Sequence, residues 1–146
     1  MARNKLAEEA WEELARAQIA LMRRFQDDFR ESEITMREYD VLFTLSRCPE
    51  GSRMRDLSEH VLLTQPSISR LVERMADDGL VTRGCAPDDR RGTVVGLTEH
   101  GRQVLNRTGR RHAAAIERYV GGALTGEELR SLRDLAGKLR SAQAPE

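Results

Sequence analysis

The chain has 146 residues, 39% of them apolar and 33% charged, with 24 Lys/Arg balanced by 24 Asp/Glu. That length suits one domain with a moderate core. A low apolar fraction with a high charged fraction fits a mostly helical protein with wet outer faces, or one whose apolar surface is completed by a second subunit. No 18-residue apolar run and no signal-peptide core is present, which excludes a membrane span and predicts a soluble, cytoplasmic chain. The zero net charge conceals an uneven distribution: residues 1–52 are net −3, residues 53–111 net +3, and residues 112–146 neutral. Of the 24 basic residues 22 are Arg, the side chain suited to phosphate and guanine contacts, although a GC-rich genome enriches Arg too.

In chain order, residues 5–30 predict a long amphipathic helix. Leu6, Ala10, Leu14, Ala17, Leu21 and Phe25 recur at three- and four-residue steps, and Trp11, Met22 and Phe29 widen the stripe. A helix this long cannot bury its whole stripe on one small domain, so a partner chain is the expected receiver. Thr35 and Glu38 form a capping box that starts a second helix, with Tyr39, Leu42, Phe43 and Leu45 as its core face, ended by Pro49-Glu50-Gly51. Met54–Val61 reads as a two-turn helix with Leu57 and Val61 inward. Leu62-Leu63 is a tight connection, Thr64 an N-cap, and Pro66 a first-turn residue whose missing N–H costs nothing. Ile68, Leu71, Val72 and Met75 are the buried stripe of the helix that follows, and Gly79 suits a left-handed helix terminator.

The apolar period then falls from about 3.6 to 2. Leu80–Cys85 and Thr93–Leu97 read as two strands, joined by a turn-forming, charged loop over residues 86–92. Thr98 caps a fifth helix over about 99–120, broken by Gly121-Gly122. Thr125 and Glu128 form a second capping box, and Leu129, Leu132, Leu135 and Leu139 stripe the last helix; the final six residues look frayed.

Two short helices, a tight turn and a hairpin with a charged tip make the winged helix-turn-helix order. The second short helix presents Gln65, Ser67, Ser69, Arg70 and Arg74 away from its apolar stripe. A helix of this width enters a major groove, where Gln pairs with adenine and Arg with guanine. Ser hydroxyls and the helix start hold phosphate oxygens. Arg90 and Arg91 on the hairpin tip suit a narrow, A·T-rich minor groove, and an aspartate beside them can orient an arginine through a charge-assisted hydrogen bond.

The stretch Leu63-Thr64-Gln65-Pro66-Ser67-Ile68-Ser69-Arg70-Leu71-Val72-Glu73-Arg74-Met75 resembles the recognition helix of the multiple antibiotic resistance regulator (MarR) family. Asp77-Asp78-Gly79-Leu80-Val81 is similar to the family's exit from that helix. Asp88-Asp89-Arg90-Arg91 followed by Val94-Val95-Gly96-Leu97-Thr98-Glu99-His100-Gly101 is similar to its wing signature, which ends in L-T-x-x-G. The order of elements agrees from about residue 6 to 140. The resemblance implies a mainly α fold with a small β-hairpin wing, six helices, and an intertwined two-fold dimer locked by the first, fifth and sixth helices. Residues 1–34 and 99–146 are then dimerisation segments and 35–98 the DNA-binding lobe, all within one structural domain.

The expected function is a sequence-specific, DNA-binding transcriptional regulator, a repressor released by a small phenolic or lipophilic ligand. Its partners are a pseudo-palindromic operator and a second copy of the chain. The expected DNA-binding residues are Thr64, Gln65, Pro66, Ser67, Ser69, Arg70, Arg74, Asp89, Arg90 and Arg91. By the same resemblance Tyr39 and Phe43 lie near an effector pocket. The alternative is a winged-helix protein-interaction module without DNA binding. No nucleophile–base pair, phosphate-binding glycine loop or metal spacing appears, so no enzyme, cofactor or metal site is expected. His60, His100 and His112 are far apart and read as surface or core-edge residues. Cys48 and Cys85 lack metal or disulfide spacing and read as buried or half-buried inert thiols.

Overall fold

The first helix, α1 (Ala2–Phe29), starts three residues earlier than the periodicity indicates. In this computed structural model residues 2–61, 65–86 and 89–144 are described, the side chains of residues 65, 86 and 89–91 excepted. The chain divides into two compact units, residues 1–110 and 111–146. Of the α1 stripe only Phe25 and Phe29 are buried; Leu6, Leu14, Ile19 and Trp11, the last 67% exposed, face outward.

Thr35 caps α2 (Met36–Ser46) through the predicted box: its hydroxyl accepts from the Glu38 N–H at 3.2 Å, and the Glu38 carboxylate accepts from the Thr35 N–H at 2.9 Å. Val41, Leu42 and Leu45 form its buried face, while Tyr39 is half-buried and Phe43 41% exposed, so the core face is rotated from the predicted one. Gly51 ends the following turn at φ 87°. A side chain there would meet the Val95 carbonyl oxygen at 2.8 Å, so glycine answers both a backbone and a packing demand.

Ser52 and Arg53 form a two-residue strand, β1, that sequence patterning did not reveal. It leads straight into α3 (Met54–His60), where Leu57 is buried. Helix α4 (Gln65–Asp77) buries Ile68, Leu71, Val72 and Met75. It ends in a Schellman motif: the Gly79 N–H donates to Ala76 O at 3.0 Å and the Leu80 N–H to Met75 O at 2.9 Å, with Gly79 at φ 77°. The connection at Leu62-Leu63 and the Thr64 cap lie outside the described residues.

β2 (Val81–Ala86) and β3 (Asp89–Leu97) complete an antiparallel sheet of order β1-β3-β2. The register runs from Val81 opposite Leu97 to Cys85 opposite Thr93, then jumps so that Ala86 opposes Asp89. Residues 90–92 therefore bulge from the ladder. The expected loop over 86–92 is thus corrected: its second half belongs to β3, because turn-forming composition does not prevent pairing. Cys85 on β2 is exposed rather than buried or half-buried, and Cys48 is half-buried.

Packed against this sheet, α2, α3, α4 and the first half of α5 (Glu99–Ile116) enclose a core of Ile34, Val41, Leu42, Leu57, Ile68, Val72, Met75, Val95 and Val104 among others. A π turn, Glu117–Gly121, extends α5. In the second unit the Thr125–Glu128 box caps α6 (Gly126–Ser141), with bonds of 2.9 and 3.3 Å. Leu132, Leu135 and Leu139 are all exposed on α6, Leu135 at 65%.

Candidate nucleic-acid interface

Helix α4 decides which side chains a duplex meets. At about 100° per residue, its buried residues Ile68, Leu71, Val72 and Met75 define an inner face. Pro66 and Arg70, both exposed, lie opposite that face in the first two turns, and Glu73 and Asp77 follow them one and two turns on. On this outermost line only the N-terminal half is free of carboxylates, and it is the half that reaches base edges in helix-turn-helix docking. Ser69 and Arg74, also exposed, occupy the two flanks; Ser67 is half-buried on the Arg74 side. Gln65 opens the helix, but its side chain, like Thr64, lies outside the described residues.

The wing supplies a second zone. Asp89, Arg90 and Arg91 sit on β3, the two arginines in the bulge; their side chains, and Pro87-Asp88, lie outside the described residues. Arg83, exposed on β2, is a further cation of the wing that the family motif does not include. Its signal in the sequence was faint: one arginine in a strand marked mainly by apolar alternation.

Two other cations near the lobe are engaged. Arg107 on α5 holds Glu33, in the α1–α2 connection, with two parallel bonds of 2.9 and 3.0 Å. That hydrogen-bonded guanidinium, with its charge, keeps the Glu33 carboxyl below its ordinary range, and Glu33 raises Arg107 in turn. Arg55 lies 4.0 Å from Asp56. Among the described residues no group of three His, Cys, Asp or Glu is placed to hold a metal.

Tyr39 and Phe43 lie one turn apart on α2 and stack, with centroids 6.2 Å apart and planes at 25°. Phe29 packs on Tyr39 at 5.7 Å. Burial, and secondarily the charge of Asp40, pushes the Tyr39 phenol up. Phe43 carries the Arg47 guanidinium 4.6 Å above its ring. It also lines a cleft of about 540 Å³ with Thr44, Cys48 and His60, onto which Tyr39 does not open.

A helix that offers polar and cationic groups ahead of a bulged hairpin is the geometry of winged-helix readers, and comparison with known proteins agrees. The sequence model of the MarR family matches residues 32–92, from the α1–α2 connection to the wing bulge. A MarR family transcriptional regulator from Streptomyces coelicolor, solved in complex with DNA, superposes with a TM-score of 0.84 at 27% identity, covering 95% of this chain and 92% of that one. In sequence and in fold the chain resembles the MarR family. The chain is also similar to the homoprotocatechuate degradative operon repressor of Escherichia coli, 26% identical over 122 residues, 84% of this chain and 81% of the relative. CouR of Rhodococcus jostii RHA1, solved bound to p-coumaroyl-CoA, is similar as well, with a TM-score of 0.79 at 25% identity over 97% and 98% of the two chains.

The structure also explains the L-T-x-x-G signature. The Thr98 hydroxyl lies 2.6 Å from Gly79 O and 2.9 Å from Leu80 O, and it accepts the Gly101 N–H at 2.9 Å. Gly101 is buried because α5 passes directly over the Leu80 carbonyl, where any Cβ would collide. The motif is thus a joint that welds the exit of α4 to the start of α5.

Proposed function

We propose that this MarR regulator is a cytoplasmic homodimeric repressor that binds a pseudo-palindromic operator and leaves it when a small organic effector binds. The observation that carries this reading is the coexistence, in one lobe, of a cationic N-terminal α4 surface and a bulged Arg90–Arg91 wing. In this account the first half of α4 reads a major groove through Gln65, Ser69 and Arg70, with Thr64, Pro66, Ser67 and Arg74 around it. Arg90 and Arg91, oriented by Asp89, enter the adjacent minor groove.

The exposed apolar residues Leu6, Trp11, Leu14 and Ile19 of α1 and Leu132, Leu135 and Leu139 of α6 support association. Apolar patches of this kind mark protein–protein contacts. Residues 1–34 and 99–146 then join the copies, and residues 35–98 read DNA. The aromatic pair Tyr39–Phe43 is the proposed edge of the effector pocket, and a phenolic or lipophilic ligand accords with its apolar character and with the p-coumaroyl-CoA bound to CouR. The chain acts by binding and catalyses no reaction. That no described helix is long and apolar enough to cross a membrane is consistent with action in the cytoplasm.

Selection of duplexes from a randomised pool tests the reading. The wild type should enrich an inverted repeat with half-site centres about one helical turn apart. Gln65→Ala should relax preference at one position per half-site, at a cost of about 1–3 kcal/mol. Arg91→Ala should weaken binding most on A·T-rich flanks. A protein that enriches no duplex at low salt is instead the interaction module without DNA binding.

A further inference from the structure

A cleft of about 450 Å³ opens where the end of α1, the start of α2 and the outer flank of α4 meet. Its floor is apolar: Phe29 and Leu71 are buried. Its rim carries three exposed guanidiniums, Arg30 from α1, Arg37 from α2 and Arg74 from α4. Among the described residues no carboxylate lines it. Arg30 lies 3.1 Å from Asp27, on the turn below. Arg37 and Arg74 have no ion-pair partner among the described residues, in contrast to Arg16 and Arg107, which hold Glu12 and Glu33. Three like charges drawn from three elements around one concavity repel one another unless an anion lies between them.

The position beside α4 identifies the anion. A helix with its side chains is about 10–12 Å across, and the major groove of B-DNA is about 12 Å wide. A helix lying in the groove therefore fills it, and its two flanks face the two sugar–phosphate walls. One flank of α4 carries Ser69; the other carries Arg74 and the cleft. Arg37 and Arg30 continue the cationic edge from Arg74 onto α2 and α1, beyond the reach of α4 itself.

We propose that this arginine cleft is a clamp for the DNA backbone: Arg74, Arg37 and Arg30 grip consecutive phosphates of one strand along the outer wall of the major groove. Arg74 is accordingly a backbone contact rather than a base reader. Arg30 and Arg37, which the recognition-helix motif does not include, enlarge the footprint. The clamp positions the lobe and carries no sequence information, as phosphate contacts do. It rests on the DNA-binding reading above and adds to it a second, salt-sensitive anchor.

The test uses the full-length protein and an operator duplex selected from a randomised pool. Affinity is measured across a salt series for the wild type, Arg37→Gln, Arg74→Gln, the double variant and Arg37→Lys. Each lost phosphate contact should flatten the dependence of log K on log salt by about 0.9, so the double variant loses close to two units of slope. The wild-type advantage then shrinks about 3.5-fold per lost contact as salt rises from about 50 to about 200 mM. Reselection with the double variant should return the same base preferences, and Arg37→Lys, which keeps the charge, should keep the slope. A double variant that binds the operator with an unchanged slope overturns the clamp while leaving DNA binding intact. A wild type that selects no duplex overturns both. Titration of DNA-free protein with benzoate separates the remaining occupant: benzoate binding that Arg37→Gln abolishes, with salt slopes unaltered, would assign the cleft to a free organic anion instead.

Discussion

Gly101→Ala should destabilise the protein although it places a better helix former in the first turn of α5. Alanine gains about 1 kcal/mol over glycine in a helix interior. Against this, the new methyl group would run into the Leu80 carbonyl oxygen and come within 3.0 Å of Leu97 Cδ1. That oxygen is not free to swing aside, since it accepts from the Thr98 N–H at 3.2 Å and lies 2.9 Å from the Thr98 hydroxyl. Overpacking costs about 1–3 kcal/mol, and releasing the pinned carbonyl forfeits a hydrogen bond worth about 1 kcal/mol. The steric side wins, and the expected net loss is about 1–3 kcal/mol. For a chain of this size that lowers Tm by roughly 3–10 °C. Urea unfolding followed by far-UV circular dichroism reads it, at one fixed protein concentration because the proposed subunit association would couple to stability. An alanine variant as stable as the wild type, or more so, would refute the joint at Gly101, and Gly101→Val should be worse than alanine.

Gly137→Ala is the counterpart: nothing lies within 4 Å of a Cβ there, so the propensity gain of about 1 kcal/mol should appear undiminished as a higher urea midpoint. Truncating Leu132 and Leu135 together to Ala should release monomers in sedimentation velocity and weaken operator binding; a persistent dimer would place the interface elsewhere. Glu33→Gln should lower the urea midpoint slightly at neutral pH, the pair with Arg107 being exposed. A carboxylate whose pKa is depressed on folding stabilises above its unfolded pKa and loses that contribution as pH falls through the folded value. The gap between wild type and Glu33→Gln should therefore hold above about pH 4.5 and close below it. A gap that widens towards acid would contradict the assigned direction.

Features set by near neighbours along the chain were legible in the amino-acid sequence. The Thr35–Glu38 and Thr125–Glu128 boxes, the Gly79 terminator and the α4 stripe each rest on residues within one or two turns, and each appears where the pattern indicated. What depends on distant partners was not legible. β1 is two residues long and exists by pairing with Val94 and Val95, some forty residues on. The extension of β3 through Asp89–Gly92 overrode a composition typical of loops. For the interface, periodicity put Arg74 on the outside of its helix. Only the tertiary arrangement shows it sharing a cleft with Arg30 and Arg37. The long apolar face of α1 was readable, and so was the inference that one small domain could not cover it.

Ser52 and Arg53 are laddered to the strand that becomes the wing and are covalently continuous with α3. On the proposed reading the lobe acts as a caliper: the span between the α4 contact and the β3-bulge contact is set by sheet bonds and packing around the core. One base pair inserted between those two contact zones shifts the second by about 3.4 Å along the duplex and about a tenth of a turn around it. Half-sites for such a gauge have an invariant internal length, and any drift in operator architecture falls in the spacer between them.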